Sequence, residues 1–575
     1  IRTQPNPTTP LLPPANGPRR VEPGWHALVN ATVHPDPGNV LERATVVIRD
    51  GVIVSVEAGA SPPAGATVWD CTGLHVYAGL IDPYVEVETP KPDPGAPGAH
   101  WNPRVMPQRS ALDAGRERGS PIDARTARTL REMGFTAAGL APSDGIFRGS
   151  AAVVSLGDTG SDPSLPGVTI YKDRAFQVVA FDAGGGRRGR GGNAGPIENW
   201  PGYPNSQMGT IALIRQTLAD ADWLHAARKA IGGGDPQREA EARAMGFDSS
   251  PNALDHLAPG EDAPPLLFNT GDELEALRAS KIAAEFERQA VIVGTGTEFR
   301  RLDAIRADAR PLIIPLNFPE APKVESVGEA DEVSLKDLMT WEQAPANVRR
   351  LDNAYGSGNI AIALTTSKLP ERGGGGRGKF MEHVRTAIRY GLSEERALAM
   401  LTVNPAVLLG VDDRLGTVEA GKVANLVVTD GPLFRKGTKV RDVWIDGRRH
   451  EVNPAPAAVE GRWSIALDPP IADAITMTIA APRSGPTKVD ITSAGKDGKD
   501  ATVAARNVRI DHGAGRVSFI LDHDAFGAPG VVTMAGLLEG DAIRGHGTMP
   551  NGSRFAWTAM KAPPPADAAE AQVGG

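Results

Sequence analysis

Apolar and polar residues alternate in short runs at both ends of this chain, and the long middle keeps a different rhythm. Ala27-Leu-Val-Asn-Ala-Thr-Val reads as a strand. Ala44-Thr-Val-Val-Ile and Val52-Ile-Val-Ser-Val flank Arg49-Asp50-Gly51, a hairpin turn signal. A similar set lies far downstream: Ala424-Asn-Leu-Val-Val-Thr-Asp430-Gly431 ends one strand in a turn, and Val440-Arg-Asp-Val-Trp-Ile-Asp446-Gly447 reads as a hairpin. Strands on either side of a long α/β region predict one composite β-sandwich, built from residues 23–80 and 410–453.

Between them, buried strands alternate with helical stretches, the pattern of βα units. Leu266-Leu-Phe268 precedes Thr270-Gly-Asp-Glu273, a capping-box pattern, and a helix reaching about Gln289. Ala290-Val-Ile-Val293 is followed by a helix from about Thr297, then Leu312-Ile-Ile-Pro-Leu316. Ile360-Ala-Ile-Ala-Leu364 precedes a helix over Phe380 to Arg389, and Ser393 caps another. Residues 81–409 have the length of a (β/α)8 TIM barrel with insertions, so the predicted class is α/β. Two Gly/Arg-rich segments, 184–195 and 372–379, interrupt it as loops.

After Pro454 helical periodicity stops. Ala474-Ile-Thr-Met-Thr-Ile, Arg516-Val-Ser-Phe-Ile-Leu and Arg554-Phe-Ala-Trp-Thr-Ala alternate with period two. Residues 455–563 therefore read as a small all-β barrel or sandwich whose core holds Trp463, Phe519 and Trp557. Residues 1–22 read as a flexible leader and 564–575 as a disordered tail.

Composition narrows the function. The net charge of -8 argues against nucleic acid or acidic lipid as the main partner. One cysteine, Cys71, excludes an internal disulfide, and no apolar run is long enough for a membrane span. The start at Ile1 and the Pro-rich stretch through Pro14 read as a processed or truncated N-terminus, which makes a periplasmic or secreted location the expectation, with a cytoplasmic one open.

The chemistry turns on one segment. The apolar strand His75 to Ile81 runs into Asp82-Pro83 and presents Tyr84 and Glu86 on one face, because strand residues two apart share a side. Gly79-Leu-Ile-Asp-Pro-Tyr-Val-Glu86 resembles the first barrel strand of the amidohydrolase superfamily, where Pro-Gly-Leu-Ile-Asp-x-His-x-His supplies two metal ligands. Asn404-Pro-Ala-Val-Leu-Leu-Gly through Asn425-Leu-Val-Val resembles the passage that ends the family's barrel. Gly134-Phe-Thr-Ala fits barrel strand two, and Tyr203-Pro-Asn-Ser-Gln-Met-Gly is similar to a loop of exported bacterial members, the imidazolonepropionase-like branch.

The resemblance implies where metal ligands belong, and the residues there have changed. Tyr84 and Glu86 replace the two histidines of strand one; Asn269 stands at the end of strand five and Thr366 at that of strand eight. Strand six, at Val293-Gly-Thr295, offers no histidine, and the strand-four position near Ala175 to Asp182 is unassigned. Zinc takes His, Cys or carboxylate sets, so Tyr, Asn and Thr are poor replacements. The expected site is vestigial: Tyr84, Glu86, Asn269 and Thr366, with no metal or other cofactor. A rewired site would use Glu86 with Asp182 or Glu198 and a divalent ion, Zn or Mg. Two functions follow from the resemblance. One is a pseudoenzyme subunit paired with an active paralogue. The other is a hydrolase of amide or peptide-like C–N bonds with unusual ligands.

Overall fold

Turn chemistry fixes the first sheet. The computed structural model describes residues 24–562 except 116–118, 158–167, 182–202, 232–235, 246–249, 323, 325, 357–358, 360, 369–375, 454–458, 469–474, 481–486, 495–499, 512–514, 523–528 and 540–541. The Gly/Arg segment 184–195, residues 372–375 of the second such segment, and the leader and tail predicted at either end lie outside the described residues. The chain divides into two units, residues 1–452 and 453–575.

In the first unit, β1 (Trp25–His34), β2 (Leu41–Arg49), β3 (Val52–Ala58), β4 (Thr67–Asp70) and β5 (His75–Ala78) come from the early chain. Asp50 and Gly51 turn β2 into β3 at φ 50° and 85°, a left-handed pair that suits a two-residue hairpin. The barrel follows with β6 (Leu80–Val87), β7 (Phe135–Pro142), β8 (Phe147–Ser155), β9 (Ile170–Ala180), β10 (Leu266–Asn269), β11 (Ala290–Val293), β12 (Leu312–Pro315) and β13 (Ile362–Thr365). The chain then returns as β14 (Leu426–Thr429), β15 (Val440–Ile445) and β16 (Arg448–Glu451).

Early and late strands make one eight-stranded sheet in the order β16-β15-β14-β5-β1-β2-β3, with β4 paired to β1. Leu28, Val46, Ile48, Val76, Leu426 and Trp444 share its buried core. Asp446 and Gly447 form the second hairpin at φ 52° and 74°. Its tip abuts the first: a Cβ on Gly447 would lie 2.5 Å from Gly51 Cα.

His75 does not begin the first barrel strand. It opens β5, pairing with Thr32 and Thr429, and Gly79 separates β5 from β6. A Cβ on Gly79 would meet Thr136 Oγ1 at 2.1 Å, so the chain passes from sheet to barrel where only glycine fits.

The eight strands of the barrel-like sheet run in chain order from β6 to β13. They are not eight βα repeats. β8 is antiparallel to both β7 and β9, while the other pairs are parallel. Residues 143–146 are too short a link for a crossover, and Asp144 and Gly145 at φ 65° and 106° turn the chain straight back. Helices Glu273–Glu285, Leu302–Asp308, Phe380–Arg389 and Val403–Leu409 accompany the later strands. The cap of the first differs from the predicted box. Asp272 accepts from Leu274 and Glu275 N–H groups, while Thr270 Oγ1 donates to the Val293 carbonyl.

Among the described residues, no ladder joins β13 to β6. Side chains span that seam: Thr365 Oγ1 donates to Asp82 Oδ1 (2.7 Å) and Thr366 Oγ1 to Asp82 Oδ2 (2.5 Å). Ser367 Oγ reaches the Tyr84 carbonyl at 2.6 Å.

The second unit carries β17 (Gly461–Asp468), β18 (Ile475–Ala480), β19 (Lys488–Ala494), β20 (Asp500–Ala504), β21 (Arg506–Asp511), β22 (Arg516–Asp522), β23 (Val531–Glu539), β24 (Ala542–Thr548) and β25 (Arg554–Lys561). They form one nine-stranded antiparallel sheet, β20-β19-β18-β17-β25-β24-β23-β22-β21. Trp463, Phe519 and Trp557 are buried together on its inner side.

Candidate functional site at the barrel mouth

A bulge aims the first strand's side chains. Between the pairs Asp82↔Ala138 and Val85↔Leu140, β6 holds one residue more than β7. Pro83 sits in the excess; lacking an N–H, it has no place in a regular ladder. Beyond the bulge Tyr84 turns inward. It is 0% exposed and joins the barrel's inner cluster with Ile81, Ala137, Ala151, Leu267 and Val293. Small neighbours there leave room for its ring.

Tyr84 and Glu86 share a face as the strand period requires, and they touch: the phenol donates to Glu86 Oε1 at 2.6 Å. Arg148 Nη1 donates to the same oxygen at 2.8 Å, and Asn269 Nδ2 at 3.0 Å. Arg148 comes from β8, whose antiparallel course brings its first residues to the end where β6 and β10 finish. The Arg148 side chain is only 6% exposed. It lies 3.5 Å from the Tyr84 oxygen.

Lys368 stands two residues beyond Thr366, at φ 58°, and crosses the mouth. Its Nζ donates to the carbonyls of Thr270 (2.6 Å), Gly294 (3.1 Å) and Val293 (3.4 Å), beyond the ends of β10 and β11. Asp82, fully buried, accepts from Thr365, from Thr366 through both backbone and hydroxyl, and from the Tyr84 N–H.

These surroundings set the charges. Burial pushes Glu86 up, but the Arg148 charge and the Tyr84 hydrogen bond outweigh it and hold the carboxyl below its ordinary value. Burial, with Glu86 alongside, keeps the Tyr84 phenol well above its usual pKa. Burial pushes Lys368 down to about 8 against the pull of Glu86, so it is a cation at neutral pH. Burial raises Asp82, opposed by its hydrogen bonds to Thr366 and Thr365.

Of the residues singled out from sequence, Tyr84, Glu86 and Asn269 meet in one network. Thr366 does not join them; it holds Asp82 at the seam. Asp182 and Glu198 lie outside the described residues. Among the described residues, no three His, Cys, Asp or Glu side chains are grouped to hold a metal ion. Sequence reasoning missed Arg148, because β8 was not recognised as a strand, and Lys368, which follows the Thr365-Thr366-Ser367 run directly. A cation two residues after the expected ligand position was a readable signal.

Residues 333–450 match the model of the amidohydrolase family. The fold is similar to that of an amidohydrolase from Thermotoga maritima, with a TM-score of 0.51 and 22% identity, over 74% of this chain and 98% of that one. Part of the sequence is thus similar to the amidohydrolase family, and the fold is similar to an amidohydrolase's. Among curated amidohydrolase relatives it is 35% identical over 100 residues to amidohydrolase tasK of Hapsidospora irregularis. It is 40% identical over 65 residues to N-acetylglucosamine-6-phosphate deacetylase of Haemophilus influenzae. Those stretches cover 17% and 11% of this chain, and only 9% and 17% of the relatives' own lengths.

Proposed function

We propose that this protein is a non-catalytic amidohydrolase-fold subunit that pairs with a catalytically intact relative. The observation that carries the reading is the Glu86 carboxylate, already taken up by Arg148, Tyr84 and Asn269. A hydrolase of this family uses a bound metal to bring the pKa of water from about 15.7 to about 7. The residues at this mouth do not fit such an ion. The network that gathers there offers a phenol, an amide and one carboxylate that a guanidinium neutralises, while the Asp82 carboxylate is taken up by the Thr365 and Thr366 donors at the seam. A divalent ion on Glu86 about 4 Å from Arg148 would meet a repulsion of roughly 8 kcal/mol at an effective dielectric of 20. Lys368 adds a second fixed cation. Glu86 is held too acidic and Tyr84 too weakly acidic to move protons near neutral pH, and Lys368, with a pKa of about 8, has its Nζ committed to the Thr270, Val293 and Gly294 carbonyls.

A barrel retained while its ligand positions change points to surfaces kept for assembly. Export to the periplasm or beyond is part of the same proposal, supported by the Tyr203–Gly209 loop resemblance. The test is purification from the native cells with elemental analysis. The expected result is a complex with a second amidohydrolase and no stoichiometric transition metal in this chain. A monomer or pure homo-oligomer with chelator-sensitive hydrolase activity on amide or peptide-like bonds would overturn the proposal. It would favour instead the rewired site built on Glu86, Asp182 and Glu198.

A further inference from the structure

The second unit has an outer face that the barrel chemistry does not touch. Cross-strand register assigns its residues. Arg509 faces Ser518, Ser518 faces Ala535, and Ala535 faces His546. A second row runs Ile520, Thr533, Thr548 and Arg554. Alternation puts both rows on the side opposite the Trp463–Phe519–Trp557 core. They line a groove of about 530 Å³. Among the described residues, its lining includes two arginines, a histidine, three hydroxyls and Asn507, and no carboxylate.

We infer that this groove binds an acidic oligosaccharide, a sugar chain bearing repeated carboxylates. Arg509 lies on β21 and Arg554 on β25, at opposite sides of five consecutive strands. Strands stand about 4.8 Å apart, so the two arginines are separated by roughly 19 Å along the sheet. A single small anion cannot reach both, whereas a chain of three or four sugars can. Arginine matches a carboxylate with paired N–H donors. Ser518, Thr533 and Thr548, set between the arginines, supply hydroxyls suited to sugar hydroxyls. A single nucleic-acid strand is the less suitable occupant, because it needs successive exposed rings to stack on, and among the described lining residues His546 is the one open ring, Phe519 being 2% exposed.

The full chain is titrated calorimetrically, at low salt, with a tetragalacturonate, with inorganic phosphate and with a single-stranded oligonucleotide. Saturable binding of tetragalacturonate is expected, at least tenfold weaker in the double variant Arg509→Ser/Arg554→Ser. Arg462→Ser with Lys488→Ser, on strands away from the groove, should leave it unchanged. Circular dichroism checks that the variants fold; all four positions lack buried side chains, so loss of binding through unfolding is separable. No saturable binding of tetragalacturonate, tighter binding of phosphate or oligonucleotide, or equal affinity in the double variant would each overturn the inference.

Discussion

The Tyr84 hydroxyl donates to Glu86 Oε1 across 2.6 Å, two residues along the same strand, and Arg148 closes the group from a third position. The contact joins the two positions where the resemblance expects ligands into one hydrogen-bonded unit. Both residues are spent on each other and on the arginine.

Arg148→Leu should therefore destabilise the protein. Removing one partner of a buried ion pair costs about 3–5 kcal/mol. Glu86 is 38% exposed on its side chain, so water softens the loss to about 1–3 kcal/mol. Glu86→Gln in the same background should recover part of it. Denaturant unfolding of the two single variants and the double variant measures the coupling; strictly additive effects would contradict the pairing.

Lys368 makes a pH prediction with a definite sign. Its folded pKa, about 8, lies below the ordinary 10.5, so the unfolded chain binds more protons between those values. Stability contributed by this group rises as pH climbs from 8 to 10.5, by up to about 3 kcal/mol. Below pH 8 the buried ammonium is a full cost. Urea unfolding of wild type against Lys368→Met across that range should show the wild type gaining relative to the variant. Parallel curves would rule this out.

Metal binding should not be restored by the obvious repair. Tyr84→His with Glu86→His rebuilds the first strand's pair but leaves Asn269, Thr366 and the Lys368 ammonium in place. Neither wild type nor this variant is expected to hold stoichiometric zinc after dialysis. About one zinc per chain in the wild type would be incompatible with the proposed function.

Asp82→Asn should weaken the barrel seam. Every group around Asp82 is a donor. An amide nitrogen placed at Oδ2 would face the Thr366 N–H and leave it unpaired, while the Thr366 hydroxyl can rotate. One buried orphan donor costs about 1–3 kcal/mol. A thermal midpoint unchanged within error would show that the seam is held elsewhere.

Residues 453–575 expressed alone should fold. Their nine strands share one buried cluster that includes Trp463, Phe519 and Trp557. A dispersed amide NMR spectrum is expected, and a collapsed one would refute independence.

Much of this fold was written in local pattern. The Asp50-Gly51 and Asp446-Gly447 turns, the helix Phe380–Arg389 and the Ser393 cap are short-range features, and each stands where the sequence put it. What escaped was long-range or irregular. β8 is buried along its whole length, so it carries no alternation to betray a strand. The extra residue at Pro83 shifts the face on which β6 side chains emerge. In the site, Tyr84 with Glu86 followed from strand period alone. Thr366, expected at the end of strand eight as part of the site, is instead held by Asp82, which accepts four hydrogen bonds in the seam. Arg148 and Lys368 could not be placed without knowing which strands bring them to the mouth.

The pairing of β5 with β14 joins His75 to Thr429, and it sets a clock on the newborn chain. β5 leaves the ribosome early, with β1 on one flank and nothing on the other. At about 5–20 residues per second, its second neighbour arrives roughly 20–70 s later. Through that interval the nascent protein shows an open strand edge of the kind that recruits other chains. Its solubility during synthesis then depends on chaperone cover over His75–Ala78, and slowing translation across the barrel should raise the aggregated fraction without altering the finished protein.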